Sequence, residues 1–164
     1  MGAKKQVIDN VKDTLKARIR GHEGLSLTPY EDDYAGTTRK EYSIGYGHQI
    51  QPNEEYLMNG ITKERAEEIL DKDISWFTNF VSSRIIPDLN EAQLEALVNL
   101  CYAIGPGAFQ NSKAVYHINH NGTKDEIIED WKVQGIYWKG KKINGLVKMR
   151  LDEIDLFFDQ KKSS

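Results

Sequence analysis

Four carboxylates crowd the stretch HEGLSLTPYEDD, at Glu23, Glu31, Asp32 and Asp33. Glu23 stands alone before a glycine and apolar residues, and Asp32 follows nine residues later. A carboxylic acid donates a proton near neutral pH only when its pKa is raised, and burial against apolar groups raises it. Leu25 and Leu27 can supply an apolar wall for Glu23. A predicted helix C-terminus at Glu23 adds the negative end of a helix dipole, which disfavours the carboxylate form. A second carboxylate on a strand stays ionised. An acid at a helix end facing a carboxylate at a strand is the two-carboxylate arrangement of glycoside cleavage. Ser43, on a neighbouring predicted strand, offers a hydroxyl that can hold a water or orient Asp32. On residue types alone, the same acids also suit a solvated surface and an Asp-rich turn.

These side chains need elements to hold them. Val7, Ile8, Val11, Leu15 and Ile19 recur at helical spacing and predict a first helix from about residue 5 to 20 or 23, ended by Gly21 or Gly24. Its basic face suits either a membrane surface or, with Asp9 and Asp13 interrupting it, docking on the protein's own core. Tyr30, Tyr34, Tyr42, Ile44 and Tyr46, punctuated by Pro29, Gly36, Gly45 and Gly47, predict a small antiparallel sheet with a turn near residues 35–38.

Helices dominate downstream. Thr62 is a candidate N-cap ahead of the stripe Ala66, Ile69, Leu70, Ile74, Phe77 and Val81, and Pro87 breaks the chain. Asn90 with Gln93, and Thr123 with Glu126, have capping-box spacing. The apolar run after Asn90 ends at Gly105–Gly107, a short helix starts at Ser112 and ends near Gly122, residues 135–146 read as a loop or hairpin, and a last helix covers 147–158. The expected fold is α+β: a mostly helical, two-lobed domain with a small antiparallel sheet near the N-terminus. Residues 24–60 would form the β-containing lobe, and 1–23 with 61–164 the helical lobe, of a single domain over 1–164.

Composition narrows the function classes. The chain has 164 residues and a net charge of −3, with 39% apolar and 29% charged residues, which is globular and unlike a general nucleic-acid binder. The single cysteine, Cys101, excludes an internal disulfide and sits in an apolar run that predicts burial. No signal-peptide h-region and no apolar run of transmembrane length is visible, so a cytoplasmic start is expected. Residues 131–150 carry six basic residues and no acid between Trp131 and Arg150, a sector that can face a polyanion or simply be solvated. The four histidines show no metal-binding spacing; His117 and His120 read as a surface pair. Trp131 and Trp138 can stack on sugar rings, though Trp131 lies at core spacing with Ile127 and Ile128.

The stretch HEGLSLTPYEDD followed by YSIGYGH resembles the signature of the phage-type lysozymes, the endolysin family of glycoside hydrolases. The likeness continues through ITKERAEEILDKDI, LNEAQLEALVNLCYAIGPGAF and GKKINGLVKMRLDEIDLF, in family order over residues 21–158. It implies a lysozyme fold and hydrolysis of the β-1,4 bond between N-acetylmuramic acid and N-acetylglucosamine in bacterial peptidoglycan. It implies Glu23 as general acid, and Asp32 with Ser43 (a position usually Thr) holding the water, with inversion. Gln49, Tyr102 and Ser112 match positions that touch substrate, and His48 matches a histidine near the cleft that pairs with an acid. No metal or other cofactor is called for. The implied protein is a monomer without nucleic-acid partner or stable membrane insertion, held in the host cytoplasm until the membrane opens. Two alternatives stay open: a lytic transglycosylase, which needs only the acid, and a glycan-binding virion module without turnover. Three departures stand out. The segment between Asp32 and Ser43 is longer than the common form. Ala103 stands where many members have Asn or Gln. Met149 replaces a frequent Arg.

Overall fold

The structure is a computed structural model that describes residues 2–32 and 41–159. The turn expected near 35–38, and Asp33, lie outside the described residues.

Helix α1 (Lys5–Glu23) buries Val11, Leu15 and Ile19, one side of its 3.6-residue repeat. This stripe packs on helix α3 (Glu91–Ile104), so the protein's own core takes the apolar face. The basic side is partly neutralised within the chain: Lys16 pairs with Asp71 at 2.5 Å and Arg18 with Glu95 at 2.8 Å. The helix runs through Gly21 and stops at Gly24, whose φ of +68° no helix accommodates.

The chain then forms a three-stranded antiparallel sheet of β1 (Ser26–Asp32), β2 (Glu41–Gly45) and β3 (His48–Gln49), followed by a 3₁₀ helix over Pro52–Asn59. Ile44 and Leu57 meet Ile69 of α2 (Lys63–Arg84) in a small core of their own.

The main core surrounds α3. Leu94, Ala96, Leu97, Val98, Leu100 and Cys101 are all fully buried, so this helix is apolar nearly all round and central. Burial pushes the Cys101 thiol far up, as befits an inert core residue. Helices α4 (Pro106–Gln110), α5 (Lys113–Asn119) and α6 (Lys124–Trp131), a β4–β5 hairpin (Tyr137–Trp138, Lys141–Lys142) and α7 (Asn144–Phe158) complete the described chain. The fold class is α+β, mostly helical with one small sheet near the N-terminus.

Both capping boxes form, at Asn90–Gln93 and Thr123–Glu126, and the Thr62 side chain accepts from the Arg65 N–H. Two details depart from expectation. The last helix starts at Asn144 rather than 147, because the Ile143 carbonyl accepts from both Leu146 and Val147 and closes a first turn across Gly145. The glycine loop after α3 also contains the short helix α4, begun by Pro106, whose fixed φ suits a first helical turn.

The basic sector of 131–150 also contracts. Arg150 is fully buried, Lys132 pairs with Glu129 and Lys148 with Asp152. Lys148 stays exposed beside Asp152, and the hairpin adds exposed Lys139, Lys141 and Lys142.

Candidate active site

Glu23 is the last residue of α1, and Gly24 turns the chain so that β1 begins within three residues of it. Strands β1 and β2 bring the second carboxylate into place through their register. Ser26 faces Gly45, but Tyr30 faces Ser43 and Asp32 faces Glu41, with a bulge between Ser26 and Tyr30. An unbroken register from Ser26 would have set Ser43 opposite Thr28, leaving Asp32 out of reach. The bulge slides the strand, and the two-residue period places Tyr30, Asp32 and Ser43 on one face. Ser43 is buried and donates its hydroxyl to Asp32 Oδ2 at 2.9 Å. Glu23, Asp32 and Ser43 are thus gathered from a helix end and two strands.

The Glu23 carboxyl is pushed up to about 7 from the ordinary 4.5, first by desolvation and then by the charge of Asp32, with Arg150 pulling the other way. Glu23 as a whole residue is exposed, yet protein crowds its carboxyl end. A Cβ on Gly47 would lie 2.9 Å from Glu23 Oε2 and 3.2 Å from Cδ. This local crowding governs the pKa; the open surface is what a group must keep to reach a ligand. The crowding also explains Gly47, which has φ +79° and lies in the tight turn between β2 and β3. Gly47→Ala is expected to strain the turn by about 1 kcal/mol. It is also expected to displace the Glu23 carboxyl, lowering turnover by about 10²-fold, since a misplacement of about 1 Å has that effect. Near-normal turnover in a folded Gly47→Ala variant, measured beside its thermal unfolding, would contradict the contact.

His48 has a carboxylate partner at each ring nitrogen. Its Nδ1 lies 2.7 Å from Asp73 on α2 and its Nε2 2.9 Å from Glu54 on the 3₁₀ helix. Burial works against its charge, but the two carboxylates outweigh it and hold the imidazolium up to about 9. Its two ion pairs pin β3 to the helices beside the cleft.

A groove of about 460 Å³ opens from Gly47, and Gln49, Tyr102 and Trp76 are among its walls. Tyr102 donates its hydroxyl to the Tyr46 carbonyl at 2.5 Å, tying α3 to the same glycine turn. Gln49 donates to the Glu41 carboxylate. Ser112 is placed differently: it is buried, and its hydroxyl accepts from the Val115 N–H at 3.2 Å as the N-cap of α5. The Ser112 side chain thus completes the start of α5.

Two residues near the acid escaped sequence reasoning. Tyr30 lines up with Ser43, and burial first, then the charges of Asp32 and Glu23, raise its phenol. Its position two residues before Asp32 in an alternating strand was the available signal. Arg150 lies close enough to act on Glu23, while a basic residue in a basic stretch reads as surface. Trp131, by contrast, is the core residue its spacing predicts, fully buried with its indole N–H donating to Glu153 at 3.0 Å. Among the described residues, no three His, Cys, Asp or Glu side chains gather as a metal site, and no helix is long and apolar enough to cross a membrane.

The sequence model of the Phage lysozyme family matches residues 20–153. An endolysin of Bacillus phage B103 is 33% identical over 141 residues, 85% of this chain and 50% of that protein. An endolysin of Acyrthosiphon pisum secondary endosymbiont phage 1 is 30% identical over 142 residues, 85% of this chain and 91% of that protein. The chain therefore spans about half the length of the Bacillus phage endolysins it matches. Among solved structures, an endolysin from Escherichia coli O157:H7 phage FAHEc1 superposes with a TM-score of 0.59 at 29% identity, covering 97% of this chain and 94% of that one. The muramidase domain of SpmX from Asticaccaulis excentricus shares the fold, with a TM-score of 0.67 at 24% identity, covering 88% of this chain and 95% of that one. With the family model spanning the acid at the end of α1, the sheet and most of the helical lobe, the chain belongs to the phage lysozyme family.

Proposed function

We propose that this protein hydrolyses the β-1,4 bond between N-acetylmuramic acid and N-acetylglucosamine in bacterial peptidoglycan. The observation that carries this reading is a raised acid, Glu23, facing a carboxylate that Ser43 holds in place. With a pKa of about 7, Glu23 is substantially protonated at neutral pH. Its proton passes to the glycosidic oxygen as the bond from the muramic C1 breaks. Positive charge develops on the sugar ring and is stabilised by the Asp32 carboxylate. A water held between Asp32 and the Ser43 hydroxyl attacks C1 from the opposite face and gives its proton to Asp32. Glu23 ends as carboxylate and Asp32 as acid, and solvent exchange resets both. This route inverts the anomeric centre and uses carboxyls roughly 6.5–9.5 Å apart, against roughly 5 Å for a covalent, retaining route. Gln49 and Tyr102 face the glycan along the groove. In this reading the protein acts as an endolysin, on the wall, once the host membrane has been opened.

The test is mass spectrometry of the sugar ends released when the purified protein digests peptidoglycan. Ordinary reducing N-acetylmuramic ends are expected. Anhydro-muramic ends would mean transglycosylation, in which the sugar's own hydroxyl replaces water and Asp32 has no hydrolytic task. No new ends, with glycan still bound, would make the protein a binder.

A further inference from the structure

Trp76 is 52% exposed, a large aromatic surface left open on α2 one turn beyond Asp73. It is nonetheless held. Its indole stacks on Phe80 with centroids 5.1 Å apart and planes 9° from parallel, and it meets the edge of Phe77 at 5.1 Å and 84°. Arg84 in turn lies 4.7 Å over the Phe80 ring, so residues 76, 80 and 84 form a row at successive helical turns. An exposed ring fixed in this way loses little side-chain freedom when something binds it.

The position of that ring narrows what it binds. Trp76 walls the groove that starts at Gly47, whose backbone abuts the Glu23 carboxyl. Tyr102 lines the same groove, with Phe77 5.1 Å from its ring. Gln49 and Gln51 supply amide groups along the same groove. Aromatic faces with a few amides suit a ligand that has apolar C–H faces and polar edges, which is the character of a pyranose ring. We infer that Trp76 is a stacking platform for a saccharide unit remote from the cleaved bond, and that it makes the protein favour glycan strands long enough to reach it. This rests on the glycosidase reading above and adds a length preference to it.

The binding test uses Glu23→Gln, to prevent turnover, with Trp138→Phe, so that the tryptophans remaining are Trp76 and the fully buried Trp131. Titration with the N-acetylglucosamine hexamer is expected to quench and blue-shift the emission, and adding Trp76→Phe is expected to abolish that change. The kinetic test uses the active protein on soluble glycan strands graded by length. Trp76→Ala should raise KM for long strands about tenfold with kcat within about twofold, and leave the shortest cleavable strands unaffected, which also shows that the variant is folded. Trp76→Tyr should restore most of the loss. Cleavage by the wild type with no quench and an unmoved KM overturns this inference alone. Quenching through Trp76 in a protein that releases no sugar ends upholds the platform and removes the glycosidase reading. An equal loss on short and long strands overturns the length preference.

Discussion

Glu23→Gln is expected to lower peptidoglycan turnover by about 10³-fold, within the range that loss of a positioned general acid produces. The same variant is expected to be more stable than the wild type above neutral pH. Both effects have one cause. The folded protein holds the Glu23 carboxyl at about 7 against an ordinary 4.5, chiefly by desolvation and then through Asp32. In the proposed reaction the protonated form is the active one, so wild-type kcat/KM should fall as pH rises through about 7, leaving roughly a tenth at pH 8. A folded-state pKa above the unfolded value contributes stability that is fully present below about 4.5 and is lost as pH rises through 7. Glutamine never ionises and escapes that loss. Because the residue opens to the cleft, solvent screening reduces the gain at pH 8 to about 1 kcal/mol, or about 2–4 °C in Tm. At pH 4 the two proteins should melt together. Thermal unfolding at both pH values checks this, and a Tm difference that ignores pH would remove the raised pKa from the account.

What the sequence disclosed was what short-range chemistry decides. Capping boxes at Asn90 and Thr123 work within four residues, so they read correctly from the string alone. The stripe of Val11, Leu15 and Ile19 needs only helical periodicity. The carboxylates were visible because Glu23 and Asp32 follow a helix end and a strand in a spacing that suits glycoside chemistry. The strand register that brings Asp32 to Ser43 was not visible, because it depends on a bulge between Ser26 and Tyr30 that no residue type announces. The 3₁₀ helix of Pro52–Asn59 and the five-residue α4 are too short to carry a period. Trp76 was hidden for a different reason. Ile74 is buried and Phe77 packs partly buried against the core, and an aromatic beside them passes as packing until the groove appears next to it. Ser112 shows the converse, a position matched by resemblance whose side chain is engaged in starting a helix.

Removing Arg150 from its buried pair with Glu153 is expected to be strongly destabilising, and to influence the acid as well. Both are essentially excluded from water, at 0% and 1% side-chain exposure. The guanidinium donates from Nε and Nη2 to the two Glu153 oxygens, each at 2.7 Å, and from Nη1 to the Gln134 carbonyl at 3.3 Å. Trp131 and Asn99 donate to the same carboxylate at 3.0 and 2.5 Å. Charges buried at such depth gain little over an apolar pair while intact, but removing one partner strands the other. Arg150→Met leaves Glu153 with two neutral donors and no counter-charge, and is expected to destabilise the protein by about 3–5 kcal/mol. Arg150→Met with Glu153→Leu should recover part of this, short of wild type, because Trp131 and Asn99 then lose their acceptor. The second effect separates this pair from a purely structural one. The Arg150 charge holds the Glu23 pKa down against desolvation and Asp32. Without it the Glu23 pKa rises, so the alkaline limb of kcat/KM should move to higher pH in the double variant, measured where it remains folded. An unshifted limb would confine Arg150 to packing. A shifted limb would mean that one buried cation sets both how firmly α7 is held and the pH above which the acid stops donating.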